Sequence, residues 1–166
     1  MTASHDPILV LTTGGTIDKL YFDALSEYKI GESIIARVLD TARVTQPVEI
    51  GEVLRKDSLE LTAADRALIV ERVAAAKARR IVITHGTDTM TVTAQALSGI
   101  ADKTIVLVGA LAPARFAESD ATFNLGMAFA TAQIAPPGVY ITMNGTVFRA
   151  DEVVKDRERG AFVRSA

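Results

Sequence analysis

Residues 8–18 read ILVLTTGGTID, and this stretch decides the fold. Its first four residues are apolar and β-prone, and Gly14 and Gly15 follow two threonines. The pattern predicts a buried parallel strand that ends in a turn, which glycine makes at the lowest steric cost. Ligands bind at the carboxyl ends of strands in open α/β sheets, so the hydroxyl of Thr16 stands where chemistry is usually placed. The stretch is equally compatible with a turn threonine that bonds only its own backbone.

The composition of the 166-residue chain is that of an ordinary globular protein. Hydrophobic residues make up 49%, charged residues 23%, and the formal net charge is -2. This charge gives no electrostatic reason to expect nucleic acid or a membrane as a partner. No apolar run is long enough to span a bilayer, and the start MTASHDP lacks the basic and apolar regions of a secretory signal. We therefore expect a cytoplasmic protein.

Cysteine is absent, and His5 and His85 are the two histidines. Disulfides, thiolate metal sites and cysteine nucleophiles are excluded, and two histidines are too few for a multi-histidine metal site. We expect no metal and no cofactor, and we interpret His85 as a hydrogen-bonded residue at a strand end. A hydroxyl nucleophile then needs another base, such as a neutral buried lysine, a tyrosine or a lysine–carboxylate pair.

Strand patterns alternate with helical patterns along the chain. After the first strand, four more are predicted at 48–54, 80–84, 104–109 and 139–143. Helical patterns begin near Ser33, Thr62, Met90 and Asp120. The second has a capping box of Thr62 and Asp65 and is expected to end near Arg79. The fourth is expected to bury Phe123, Met127 and Ala130. Such alternation predicts a three-layer, doubly wound α/β domain with a mainly parallel sheet.

Hydroxyl groups follow three of the predicted strands, at Thr16, Ser58 and Thr87. Parallel strands end at one edge of the sheet, so these hydroxyls are expected to converge on one pocket. Asp88 follows directly and is interpreted either as a site residue or as a helix cap. Ser58 has an alternative reading as a turn residue.

Two segments rich in charged or polar residues lie outside the predicted strands and helices. Lys19 to Glu32 is predicted to be a long loop of the kind that forms mobile lids. The end of the chain from Arg149 is predicted to be mixed loop and edge structure, and Lys155 within it is a candidate base or one more surface charge. Dinucleotide fingerprints, phosphate loops and Gly-x-Ser-x-Gly elbows are absent from the sequence.

Two motifs together resemble bacterial L-asparaginases of types I and II. They are TGGTI at 13–17 and THGTDTM at 84–90, and the similarity continues through VGA at 108–110, FNL at 123–125 and MNGTV at 143–147. It matches only the family's N-terminal catalytic domain, as in short-chain asparaginases. The resemblance implies that residues 1–166 are a single flavodoxin-like catalytic domain, with the family's smaller C-terminal domain absent.

The resemblance also implies five catalytic roles. Thr16 corresponds to the nucleophile that attacks the side-chain amide, and Tyr28 to the lid tyrosine that helps to take its proton. Thr87 corresponds to the threonine that positions the attacking water. Asp88 corresponds to the aspartate that binds the substrate amine, and Lys155 corresponds to the family lysine.

Further residues are implied as substrate contacts. Ser58 corresponds to the serine that binds the α-carboxylate, with Asp57 and Leu59 beside it as substrate-binding residues. Leu59 stands where many members have glutamine. Backbone N–H groups near Gly15 and Thr87 would form an oxyanion hole. Tyr21 is a rival to Tyr28, because it is closer to Thr16 in the sequence.

The function implied is hydrolysis of L-asparagine to L-aspartate and ammonia through an acyl-enzyme. The alternatives are a glutaminase or another ω-amide hydrolase, an inactive fragment of a two-domain enzyme, and a non-catalytic domain that binds asparagine or aspartate. The implied partners are a small-molecule substrate and further copies of the chain, in a homodimer or homotetramer.

Overall fold

The computed structural model describes residues 6–166, so His5 lies outside the described residues. In chain order the elements are β1 (Ile8–Gly14), β2 (Lys19–Phe22), β3 (Glu27–Ile30), α1 (Ile35–Thr41), β4 (Val48–Lys56), α2 (Ala63–Ala75), β5 (Arg80–Thr84), α3 (Met90–Ala96), β6 (Thr104–Val108), α4 (Ala121–Ile134), β7 (Gly138–Met143), β8 (Thr146–Arg149), β9 (Val153–Asp156) and β10 (Ala161–Arg164).

The central sheet has six strands in the order β4-β1-β5-β6-β7-β8. The first five are parallel and β8 runs antiparallel to β7. Counted among the parallel strands alone, this is the 2-1-3-4-5 order of flavodoxin-like folds. The predicted doubly wound, mainly parallel sheet is confirmed.

Side chains of the central strands alternate between two apolar layers. In β5, Ile81 and Ile83 pack in the cluster that contains residues of α2 and α3, whereas Val82 packs in the cluster that contains residues of α1 and α4. Because both faces are covered, β5 and β6 consist almost wholly of buried residues. The helices thus form the two outer layers of a three-layer domain.

The segment predicted to be a long loop is a β-hairpin. Strands β2 and β3 pair antiparallel, with Tyr21 opposite Tyr28. The prediction was wrong because the segment buries little apolar surface, whereas its strands are held by the backbone ladder and by cross-strand aromatic packing. The hairpin is fixed at its base, where Gly31 N donates to Asp18 O at 3.0 Å.

The charged end of the chain is also more regular than predicted. Strands β9 and β10 form a second antiparallel hairpin. Asn144, in the turn between β7 and β8, accepts a hydrogen bond from Phe162 N at 2.8 Å. This contact attaches the second hairpin to the edge of the main sheet.

Two details of the helices differ from the sequence-based expectations. Helix α2 has the predicted capping box of Thr62 and Asp65 but ends at Ala75, four residues early. In α4, Phe123 is 64% exposed, and the buried face instead contains Asn124 and Leu125. The face was predicted wrongly because a polar residue, Asn124, points inward to a backbone carbonyl.

Among residues 6–166, no helix is long and apolar enough to cross a membrane. The same range contains no cluster of three or more histidine, aspartate or glutamate side chains that could hold a metal ion.

Removal of the Thr62 cap should destabilise the fold measurably. Thr62 Oγ1 accepts from Asp65 N, and the Asp65 carboxylate accepts from Thr62 N. We expect Thr62→Ala to lower the free energy of unfolding by about 1 kcal/mol, as typical N-cap losses do. Urea denaturation measures it, with Thr41→Ala at an exposed helical position as the control. Equal stability of the two variants would contradict the capping argument.

Candidate active site

The ends of β1 and β5 meet through a close contact of two glycines. Gly15 has a φ of 89°, and a Cβ atom placed on it would lie only 2.5 Å from Gly86 N. Thr13 Oγ1 donates to Thr84 O at 2.7 Å and ties the same two strand ends together. Glycine is required at position 15 both by the conformation and by this close approach. Thr16 and Thr87, which directly follow the touching glycines, are therefore brought close together.

The end of β4 completes the same edge of the sheet. Gly15 N donates to Lys56 O at 3.1 Å, and a Cβ atom on Gly86 would lie 2.6 Å from Ser58 Cβ. Ser58 is 1% exposed, and its hydroxyl has no hydrogen-bond partner within residues 6–166. The ends of the three strands thus meet at one edge of the sheet, and the convergence of the three hydroxyls on one pocket stays a prediction. Within residues 6–166, the buried hydroxyls of Ser58 and Thr84 have no hydrogen-bond partner.

Lys155 reaches this edge from β9. Its ammonium nitrogen lies 2.8 Å from Thr87 Oγ1 and 2.7 Å from Asp88 Oδ1, and its side chain is only 16% exposed. The alternative reading of Lys155 as a surface charge is thus wrong. The helix-cap reading of Asp88 is also wrong, because α3 begins at Met90 with Thr89 at its N-cap.

The two hairpin tyrosines pack against each other. The rings of Tyr21 and Tyr28 pack edge to face with centroids 5.4 Å apart, and Tyr28 also packs against Phe116 at 6.1 Å. Both are about half exposed. Neither their hydroxyls nor that of Thr16 form a hydrogen bond within the described part of the chain. The choice between Tyr21 and Tyr28 stays a prediction.

Asp57 binds protein groups on both of its carboxylate oxygens. Oδ1 accepts from Leu59 N at 3.1 Å, and Oδ2 lies 2.9 Å from Lys19 Nζ. Burial acts to raise the pKa of Asp57, but the hydrogen bonds from Lys19 and Leu59 and the charges of Lys19 and Lys155 outweigh it and hold this pKa below its usual value. Leu59 itself is 64% exposed. The predicted substrate-binding roles of Asp57 and Leu59 stay predictions.

His85 is fully buried behind the strand ends. Its Nδ1 lies 2.7 Å from Gly86 O, and its Nε2 lies 2.8 Å from Thr93 Oγ1. Burial, helped by the charge of Arg66, lowers the pKa of His85 to about 4. The neutral ring donates through Nδ1 to the carbonyl and accepts at Nε2 from the threonine hydroxyl. Its interpretation as a hydrogen-bonded histidine at a strand end is confirmed.

Two residues that organise the neighbouring loop were missed. The Asp120 carboxylate accepts from the backbone of Leu111 and Ala112, and Asn124 Nδ2 donates to Gly109 O at 3.0 Å and to Asp120. These hydrogen bonds fix the loop at 110–119 to the start of α4. The FNL motif contained the signal, since a polar residue between two apolar ones on a buried helix needs a specific partner.

Asp18 is a buried carboxyl group near the site that the sequence did not single out. Its Oδ1 accepts from Ile34 N at 2.9 Å, and its backbone carbonyl accepts from Arg115 Nη1. Burial raises the pKa of Asp18 above its usual value, against the opposing effect of the Ile34 hydrogen bond. Asp18 joins the base of the first hairpin to the start of α1.

An apolar cavity of about 510 Å³ lies between α1 and α4. Its lining includes Val38, Leu125 and Phe129, and none of the predicted site residues. The candidate site is therefore the polar edge where the strands end, and this cavity is separate from it.

The chain matches the family model described as Asparaginase, N-terminal, over residues 7–162. It belongs to the asparaginase family. It is 36% identical over 163 residues to L-asparaginase 2 of Escherichia coli (strain K12), a match that covers 89% of this chain and 46% of that protein. It is 42% identical over 80 residues to the glutaminase-asparaginase of Acinetobacter glutaminasificans, covering 45% of this chain and 24% of that one.

Solved structures agree with this assignment. The thermostable L-asparaginase from Thermococcus kodakarensis superposes with a TM-score of 0.84 at 30% sequence identity, over 95% of this chain and 51% of the other. The chain thus spans about half the length of the relatives that it matches along most of its residues.

The buried histidine should make the fold sensitive to acid. The folded-state pKa of about 4 is below the ordinary value of 6.5, so the unfolded chain binds more protons between these pH values. We expect the stabilising contribution of neutral His85 to be complete above pH 6.5 and to fall by about 3 kcal/mol as the pH falls to 4. Urea unfolding at several pH values measures this, and His85→Gln should reduce the dependence. An NMR imidazole signal that titrates near pH 6.5 and is lost in His85→Gln would contradict it.

Proposed function

We propose that the chain is an amidohydrolase that cleaves the side-chain amide of L-asparagine, with Thr16 as nucleophile. The observation that carries the proposal is the contact of Lys155 with both Thr87 and Asp88, next to the glycine contact that brings Thr16 to the same edge. This arrangement holds two hydroxyls, a cation and a carboxylate together. Acyl transfer needs such groups as nucleophile, proton acceptor and charge stabiliser.

The first half of the proposed reaction forms an ester. Thr16 Oγ1 attacks the amide carbon, and its proton passes to a nearby base, with Tyr28 as the proposed carrier. Backbone N–H groups at Gly15 and Thr87 stabilise the oxyanion. The C–N bond then breaks, and the nitrogen takes up a proton and leaves as ammonia. Thr16 keeps the acyl group.

The second half releases the acid. A water molecule positioned by Thr87 attacks the ester carbon and gives its proton to the Asp88 carboxylate, which Lys155 holds in place. The C–O bond to Thr16 breaks, and the threonine recovers its proton. In this proposal Ser58 binds the α-carboxylate, in line with its free buried hydroxyl, and Asp88 binds the α-amine.

Glutamine is the second candidate substrate. A pocket that differs by one methylene changes the selectivity by only ~1–3 kcal/mol, so small shifts in the site decide it. The similarity to a glutaminase-asparaginase supports this alternative. A non-catalytic domain that binds asparagine or aspartate is a further alternative, and the presence of both Thr16 and Lys155 argues against it.

Ammonia release from L-asparagine, L-glutamine and their D-isomers tests the proposal. We expect turnover of L-asparagine by the unaltered chain, and a loss of several orders of magnitude in kcat for Thr16→Ala with the fold intact by circular dichroism. If Thr16→Ala kept near-normal turnover and Thr87→Ala did not, the nucleophile would be Thr87. Binding without ammonia release would favour the non-catalytic alternative.

Single substitutions separate the two hairpin tyrosines. Tyr28→Phe should lower kcat strongly, because it removes the hydroxyl that we propose as proton carrier, and its ring still packs against Phe116. Tyr21→Phe is the matched control, since it lies directly opposite in the same hairpin. Steady-state ammonia assays report the difference. A rate loss confined to Tyr21→Phe would reverse the assignment.

We further propose that the chain forms a homodimer or homotetramer with the site near an interface. Symmetric homo-oligomers are the common state of soluble enzymes. Large apolar side chains near the strand-end edge, such as Leu59 and Phe123, are 64% exposed and would be covered by another copy. Light scattering at assay concentration should give a mass of at least two chains. A monomeric mass with full activity would overturn this proposal.

The cytoplasmic location and the single-domain organisation stay predictions.

A further inference from the structure

A second lysine–aspartate pair lies beside the candidate site. Lys19 Nζ is 2.9 Å from Asp57 Oδ2, with side chains 27% and 29% exposed. Lys19 comes three residues after Thr16, and Asp57 comes directly before Ser58. The pair therefore connects the proposed nucleophile segment with the turn that carries the free serine hydroxyl.

Both oxygens of the Asp57 carboxylate already bind protein groups. Its Oδ1 caps the short helical turn Ser58–Glu60 through Leu59 N, and its Oδ2 faces Lys19. Its negative charge nevertheless stands next to Ser58. A carboxylate that arrives at the serine hydroxyl is repelled by this charge unless a cation offsets it, because like charges a few ångströms apart interact strongly at a partly buried site.

Lys19 is suited to offset this charge and to attract an anion at the same time. An ammonium group has three N–H donors, and Asp57 occupies one direction. About a quarter of the Lys19 side chain remains open. Ser58 contributes a buried hydroxyl without a partner in the described part of the chain. A cation and an unpartnered hydroxyl, joined through Asp57, are groups that favour a carboxylate.

We infer that Lys19 is a specificity-determining residue, which neutralises Asp57 and draws the substrate's α-carboxylate to Ser58. The inference rests on the proposed function, in which Ser58 binds that carboxylate. It assigns to Asp57 the role of positioning Lys19 and the Ser58 turn. The site then selects ω-amides that carry a free α-carboxylate over those in which this group is blocked.

Four variants and two substrates test the inference. The variants are Lys19→Met, Asp57→Asn, the double variant, and Lys29→Met as a control, because Lys29 pairs with Glu27 in the same hairpin. Asparagine at position 57 retains an oxygen acceptor for Leu59 N but has no charge. The substrates are L-asparagine and its methyl ester, in which the α-carboxylate charge is absent. Ammonia release gives kcat and KM for each combination.

The expected pattern is specific to charge. Lys19→Met should raise KM for L-asparagine by about tenfold or more, with little change in kcat and little change for the methyl ester. Asp57→Asn alone should lower KM for L-asparagine, because it removes the charge that repels the α-carboxylate. Adding it to Lys19→Met should bring KM back to within about threefold of the unaltered chain, because no uncompensated charge remains. Lys29→Met should change neither constant.

Three outcomes would overturn the inference. The first is an unchanged KM for L-asparagine in Lys19→Met. The second is an equal effect of Lys19→Met on both substrates, and the third is no recovery of KM in the double variant. The second and third outcomes would indicate a structural role for the ion pair. If the unaltered chain releases no ammonia, the proposed function fails, and calorimetric titration with L-aspartate then tests the inference separately. The inference is supported if, among the variants, only Lys19→Met binds L-aspartate more weakly than the unaltered chain. It is overturned if the unaltered chain does not bind L-aspartate.

Discussion

The candidate site depends on a backbone contact that glycine alone permits. A side chain at Gly15 would meet the backbone of Gly86, and a side chain at Gly86 would meet Ser58. Three strand ends therefore approach to van der Waals distance, and their hydroxyl residues are fixed by the sheet rather than by long loops. Sites held by regular elements keep their geometry more closely than sites held by loops. The geometry of the candidate site is thus set by the main chain.

The charges at this edge are arranged as two neutral pairs. Lys155 faces Asp88, and Lys19 faces Asp57, so four ionisable groups carry no net charge together. A free amino acid is also neutral overall and carries one charge of each sign. A site that contains groups of both signs can contact both ends of such a molecule, while a site of one sign would attract one end and repel the other.

The parts of the fold that depend on apolar periodicity were predictable from the sequence. The strand at Arg80–Thr84 and the capping box at Thr62 lie where the local pattern predicts them. The first hairpin was not predictable, because its strands are held by backbone pairing and by Tyr21 and Tyr28 rather than by a buried face. At the site, the hydroxyl residues directly follow predicted strands, so the local sequence indicates them. The Lys19–Asp57 pair joins residues 38 positions apart, so no local pattern indicates it.

The position of Lys155 after all five parallel strands has a consequence for the order of folding. Its partner Thr87 is 68 residues earlier, and β9 is held to the sheet edge through β10 and Asn144. A nascent chain that has emerged as far as residue 150 possesses all five parallel strands, yet Asp88 still lacks its cation. The loop that brings the cation back closes late, at an entropic cost that grows slowly with its length. The polypeptide therefore has all five parallel strands before it acquires the charge pattern of the finished site.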